Sequence, residues 1–162
     1  MSELPWLPEY SGETTSKLIA LERTFRKDSV VAAFEQALDQ KSFRIGGVGL
    51  LTKEERVVLA VEALEREVNN GGYDQFLLNT SGELVTEVVS SLEHIGRSDL
   101  ARLTQRAIDN ATSHGGSRGD LLDGDGVESL GQCDSEYFQI AGDLAEPLFE
   151  FIKQAQEHIA LP

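Results

Sequence analysis

This 162-residue chain is poor in three things: it has a single cysteine, no apolar run longer than residues 57–61, and half as many cations as carboxylates. Cys133 alone cannot close an internal disulfide, and the opening stretch MSELPWLPEY lacks the basic and apolar regions of a secretory signal, so a reducing cytoplasm is the expected compartment. A membrane span needs roughly 18 or more consecutive apolar residues, so none is expected. With 14 Lys and Arg against 28 Asp and Glu the formal net charge is -14. That field repels phosphates, which argues against direct binding to nucleic acid or to an anionic membrane. A partner chosen by charge should be basic.

His94, His114 and His158 are scattered and the one thiol has no partner thiol, so neither a metal site nor a cofactor is expected. Gly115-Gly116-Ser117-Arg118-Gly119 matches the spacing of a hydrolase nucleophile elbow, but no strand precedes it as that motif requires, and it reads as a helix-ending loop. Asp123-Gly124-Asp125-Gly126 resembles part of a calcium loop. In that register Leu121 and Gln132 fall where oxygen ligands belong, and an acidic loop is the better reading. No catalytic residue is assigned.

What the chain does have is apolar residues recurring every three or four positions, the period of an α-helix, with little alternation of period two. The expected fold is all-α: one domain over residues 1–162, a bundle of about six to eight helices. Residues 1–13 are expected to form an extended N-terminal arm, and residues 115–133 a long Gly/Asp-rich surface loop before the C-terminal helical region. Asp28 is expected to cap a helix carrying Val31, Phe34 and Leu38. Phe43 to Leu51 reads as a Gly-rich connector, with room for a short strand. Thr52 and Glu55 have the spacing of a capping box ahead of a stripe of Val57, Val61, Leu64 and Val68. Thr80 and Glu83 repeat the spacing, and Asp134 can cap the last helical region. Pro147 either kinks one helix or lies in the first turn of a second one capped by Asp143.

The Thr52 helix should end at Asn69, Asn70, Gly71 and Gly72, residue types that accept the left-handed backbone at helix ends. A short helical piece from Tyr73 to Asn79 follows. Gln75 and Asn79, four apart, can hold backbone groups of the turn with their amides. Alternatively Asn69, Asn70, Tyr73, Gln75 and Asn79 line a polar pocket.

The acidic excess is uneven. From Asp120 onward ten carboxylates face one lysine, Lys153, so this part of the chain carries -9 of the -14. At roughly 100° per residue, Glu136, Asp143, Glu146, Glu150 and Glu157 fall within about 80° of one another if the helix is continuous. Glu55, Glu62 and Glu65, with Glu54, cluster on the Thr52 helix. Any amphipathic helix has a solvated charged face. Yet like charges four apart cost roughly 0.2–0.5 kcal/mol per pair, and rows of carboxylates about 5–6 Å apart can imitate a phosphate backbone.

The stretch Glu67-Val68-Asn69-Asn70-Gly71-Gly72-Tyr73-Asp74-Gln75-Phe76-Leu77-Leu78-Asn79 resembles the signature of a bacterial family of small helical proteins typified by an acidic DNA-mimic protein. The likeness extends through Ser91 to Gly96, the Ala101 to Ala107 helix and Asp134 to Phe138. It implies an all-α fold, a homodimer and, for the typifying member, binding to a helix-turn-helix transcription factor in place of DNA. The residues and the resemblance together point to an acidic, non-enzymatic interaction protein, in its specific form a DNA mimic that occupies a basic DNA-binding protein. Two other classes stand beside it: a small-molecule or catalytic domain centred on the Asn-Gly turn, and an immunity or antitoxin protein for a basic toxin.

Overall fold

A computed structural model describes residues 3–113 and 124–162, and among these every regular element is helical. The helices are α1 (Thr15–Ala20), α2 (Lys27–Ile45), α3 (Lys53–Asn79), α4 (Gly82–His94), α5 (Ser98–Ser113), α6 (Gly124–Ile140) and α7 (Ala145–Gln154). The described residues include no helix long and apolar enough to cross a membrane. The chain groups into two compact units, Met1–Glu62 with Asp143–Pro162, and Ala63–Gly142.

In the first unit the N-terminal arm has no regular structure but is pinned along α2. The Leu7 N–H donates to Ser29 Oγ at 2.9 Å, and the Tyr10 N–H donates to Gln36 Oε1 at 2.7 Å. Leu7 and Tyr10 are buried by this docking. α2 starts at Lys27, one residue ahead of the expected cap, because Arg26 is the N-cap and Asp28 already lies in the first turn, where it pairs with Arg26. α2 runs to Ile45 and is stopped by Gly46 at φ 105°, a left-handed cap whose N–H donates to Ser42 O. The connector then makes a 3-10 turn, Val48–Leu50, in place of a short strand.

Thr52 and Glu55 form the expected capping box: Thr52 Oγ1 accepts from the Glu55 N–H at 3.1 Å and Glu55 Oε2 accepts from the Thr52 N–H at 3.0 Å. Val57, Val58, Leu59, Ala60 and Val61 are all buried, so this part of α3 is enclosed on every side, not along one stripe.

In the second unit α5 packs against both α4 and α6. The cap of α4 is Ser81, one residue beyond the expected Thr80, and its Oγ accepts from the Leu84 N–H. Thr80 is buried, and its hydroxyl has no hydrogen-bond partner among the described residues. Helix α6 begins at Gly124, well inside the segment expected to be loop. Its Leu130 and Cys133 are buried, and core contact overrides the poor helix propensity of the Gly- and Asp-rich sequence. Asp134 therefore lies within a helix and does not cap one of its own. The calcium-like residues 124–126 are helical backbone, while Gly115 to Gly119, His114 and Asp123 lie outside the described residues. Arg97 closes the far end of α6, donating from Nη2 to Ile140 O and from Nη1 to Ala141 O, both at 2.7 Å.

After Gly142 at φ 57° the chain starts afresh at α7. Pro147 is in the first turn of α7, where its missing N–H has no helical acceptor to lose. Asp143 Oδ1 accepts from the Ala145 N–H at 2.9 Å.

Candidate functional site

The signature stretch is a break inside α3. Gly71 has φ -160° and ψ 17°, and Gly72 has φ 84° and ψ -177°, so helical bonding stops and restarts. The first N–H of the restarted helix, that of Tyr73, finds its acceptor on α6: Asp134 Oδ1 receives it at 2.7 Å. Burial holds the Asp134 carboxyl above its ordinary pKa, with the hydrogen bond from Tyr73 pulling the other way. Gly72 makes this approach possible. A Cβ on it would stand 2.3 Å from Asp134 Oδ2, and its positive φ disfavours any L side chain. A Cβ on Gly71 would stand 2.0 Å from Gln75 Oε1.

Across the break, Glu67 is held by the two amides of the signature. Gln75 Nε2 and Asn79 Nδ2 donate to Glu67 Oε2 at 2.9 and 3.1 Å. The amides thus clasp a carboxylate on the preceding helical turn, where the sequence pointed to backbone groups of the turn. The Gln75 bond, reinforced by Asn79 and Arg66, holds the Glu67 carboxyl below its ordinary pKa. Tyr73 is fully buried, its hydroxyl 2.8 Å from Thr104 Oγ1 and its ring edge-on to Tyr137 at 5.9 Å. Burial pushes its phenol well above the ordinary value. Tyr73, Gln75 and Asn79 therefore have internal partners, although Asn79 is exposed, as are Asn69, Asn70 and Leu78. Glu67 and Asp134 are the residues the sequence reading missed. The spacing of Glu67 to Gln75 and Asn79 gave a signal that could have found the first, whereas Asp134 is 61 residues from Tyr73 and gave none.

The carboxylates fare unequally. Glu55 is 0 % exposed, takes Lys41 Nζ at 2.6 Å, and accepts from the Ala160 N–H at 3.0 Å as well as from Thr52. It is a buried anchor for the C-terminal segment and is not available to an acidic surface. Glu62 and Glu65 are half-buried on α3. Glu136, Asp143, Glu146, Glu150 and Glu157 are exposed but do not share one helix. Residues 141–144, with Gly142 at positive φ, divide α6 from α7, and Glu157 is in a closing 3-10 turn, so the continuous phase that would align them does not exist. Only Glu146 and Glu150 remain four apart on one helix. Lys27 reaches Glu146 at 2.6 Å, Lys153 reaches Glu150 at 2.9 Å, and both ammonium groups also lie over the buried Phe149 ring. Glu136 pairs with Arg106.

A protein-family model described as DMP19-like protein matches residues 49–155. No curated protein and no solved structure matches the chain.

Proposed function

The chain belongs to the DMP19-like protein family, and on that premise we propose that it is an acidic, non-enzymatic interaction protein that takes the place of DNA on a basic DNA-binding protein such as a transcription factor. Family membership supports the DNA-mimic part of this reading. The observation that carries it is one of charge: 28 carboxylates against 14 cations leave an excess of 14 that no internal pairing can neutralise. The exposed acids pay for this in mutual repulsion, which a basic partner relieves. Where a pair does exist, as between Glu146 and Lys27 at the surface, its strength in water is small and a multivalent basic surface can replace the lysine. Asp143, Glu146, Glu150 and Glu157 in the first unit, and Glu136 in the second, are the proposed phosphate substitutes. The protein works as a homodimer in the bacterial cytoplasm in this proposal, and neither a cofactor nor direct contact with nucleic acid enters it.

The test is displacement. A binding partner recovered from cell extract at low salt is identified, loaded with its labelled DNA duplex, and titrated with the wild-type protein and with a variant carrying Glu→Gln at 136, 146, 150 and 157 and Asp143→Asn. The wild type should release DNA, with an effect that fades steeply between roughly 50 and 200 mM salt. The neutralised protein should stay folded and release little. Equal displacement by both, or simultaneous binding of partner and DNA, would reduce these carboxylates to a solvated face.

A further inference from the structure

The most exposed large apolar side chain among the described residues lies near the end of α2. Phe43 is 90 % exposed and Leu50 67 %, one on the last turns of α2 and the other in the 3-10 turn that follows. Asp39, Phe43 and Gly46 recur at intervals of four and three, so they line one face of α2 over about 10 Å of helix. Leu50 folds back to this face, its Cδ1 3.7 Å from where a Cβ on Gly46 would stand, and the outer side of Gly47 is open. Asp39, Ser42, Phe43, Gly46, Gly47 and Val48 together line a shallow groove. At one end of it, the Asp39 carboxylate has neither an ion pair nor a side-chain hydrogen bond among the described residues, and partial desolvation raises its pKa.

We propose that this groove docks a basic amphipathic helix of the partner, with apolar side chains on Phe43 and Leu50 and a Lys or Arg, one to two turns away, on Asp39. An apolar face with an unpaired carboxylate at its end is complementary to that pattern, since burying the carboxylate beside a cation satisfies it and burying it beside a neutral helix does not. A second copy of the chain is a poor occupant, because it brings a further net charge of -14 to a face that already ends in an anion. Asp39 and Phe43 precede residue 49 and lie outside the stretch matched by the family model, whereas Leu50 lies just within it. The proposal rests on the preceding reading only in taking the partner to be basic. It adds an apolar component, on Phe43 and Leu50, that salt does not screen, because the buried surface carries no charge.

Three labelled synthetic helices test it by fluorescence anisotropy on the full chain: an amphipathic Leu/Lys peptide, a Leu/Glu peptide of the same pattern, and a Gln/Lys peptide that measures simple attraction to the net charge. At roughly physiological salt, where long-range attraction is largely screened, the Leu/Lys peptide should bind best. Replacing Phe43 and Leu50 together by Ser should weaken it by about tenfold or more, and Asp39→Asn by severalfold. Both are surface changes that leave the fold intact. Amide shifts on peptide addition should concentrate at residues 39–50. The proposal is overturned if the double variant binds the Leu/Lys peptide as well as wild type does. It is also overturned if the Leu/Glu peptide binds equally, or if the double substitution dissociates a dimer, which would make the groove a self-interface. DNA displacement does not enter these measurements, so mimicry and docking can fail separately.

Discussion

Asp134 on α6 supplies the hydrogen-bond acceptor for the main-chain N–H of Tyr73, at 2.7 Å and across 61 residues. A helix ordinarily receives this service from a residue just ahead of its first turn. Here the residues ahead are Gly71 and Gly72, which have no side chain to offer, and the carboxylate arrives from another helix.

Removing that acceptor should destabilise the protein in the way loss of a helix cap does. Asp134→Ala is expected to cost about 1–2 kcal/mol in denaturant melts. Asp134→Asn keeps an oxygen acceptor and removes a desolvated charge, so it should cost less. Burial raises the folded-state pKa of Asp134, which means its favourable contribution is fully present below the unfolded pKa and is lost as pH rises through the folded value. Wild type should therefore gain on the Asn variant as pH falls.

Gly72 should tolerate no L side chain. Its φ of 84° and the 2.3 Å approach of Asp134 Oδ2 to a Cβ position act together. Gly72→Ala is expected to cost more than about 1 kcal/mol, and Gly72→Val more still. Asp74→Ala, half-buried beside it with Oδ1 accepting from the Gln75 N–H at 2.8 Å, should cost less than Gly72→Ala. Thermal or chemical melts of the three variants decide this.

The clasp on Glu67 has a pH signature opposite in sign to that of Asp134. A carboxyl held below its ordinary value of 4.5 contributes stability above the unfolded pKa that disappears as pH falls through the folded one. Replacing Gln75 and Asn79 by Ala removes the two donors. Carboxyl-detected NMR should then show the Glu67 pKa moving up, and stability curves should show a smaller loss on acidification than in wild type.

Two members of one predicted acidic set should behave as opposites. Glu55 is buried with Lys41, the Thr52 N–H and the Ala160 N–H around it. Glu55→Ala leaves both N–H groups without their acceptor and Lys41 with only the Ala160 carbonyl, and is expected to cost about 3–5 kcal/mol. Exposed Glu157→Ala should stay within about 0.5 kcal/mol. If melts rank them otherwise, the assignment of Glu55 as an anchor is wrong.

Helical periodicity, the Thr52–Glu55 box and the break after Asn70 could be read from the chain because each depends on residues within a turn or two of one another. A side chain three positions from a backbone N–H reaches it in almost any context, and paired glycines end a helix for steric reasons present in the isolated segment. The same locality explains the errors. The capping-box spacing points to Thr80, but packing buries Thr80 and its neighbour Ser81 caps the helix, a choice that a spacing rule cannot make. Residues 124–133 look like loop by composition and are helical because Leu130 and Cys133 enter a core that composition does not reveal.

The sequence by itself determined the helical class, the surplus of negative charge and the positions where α3 begins and breaks. Tertiary structure alone decided which carboxylates remain outside. Glu55 and Glu157 are the same residue type, yet one is enclosed with Lys41 and the other faces water, because solvation depends on what the rest of the chain brings close. It also decided that the acids of residues 136–157 do not share one helix, since the turn at Gly142 and the restart before Pro147 interrupt a phase that exists only along an unbroken helix.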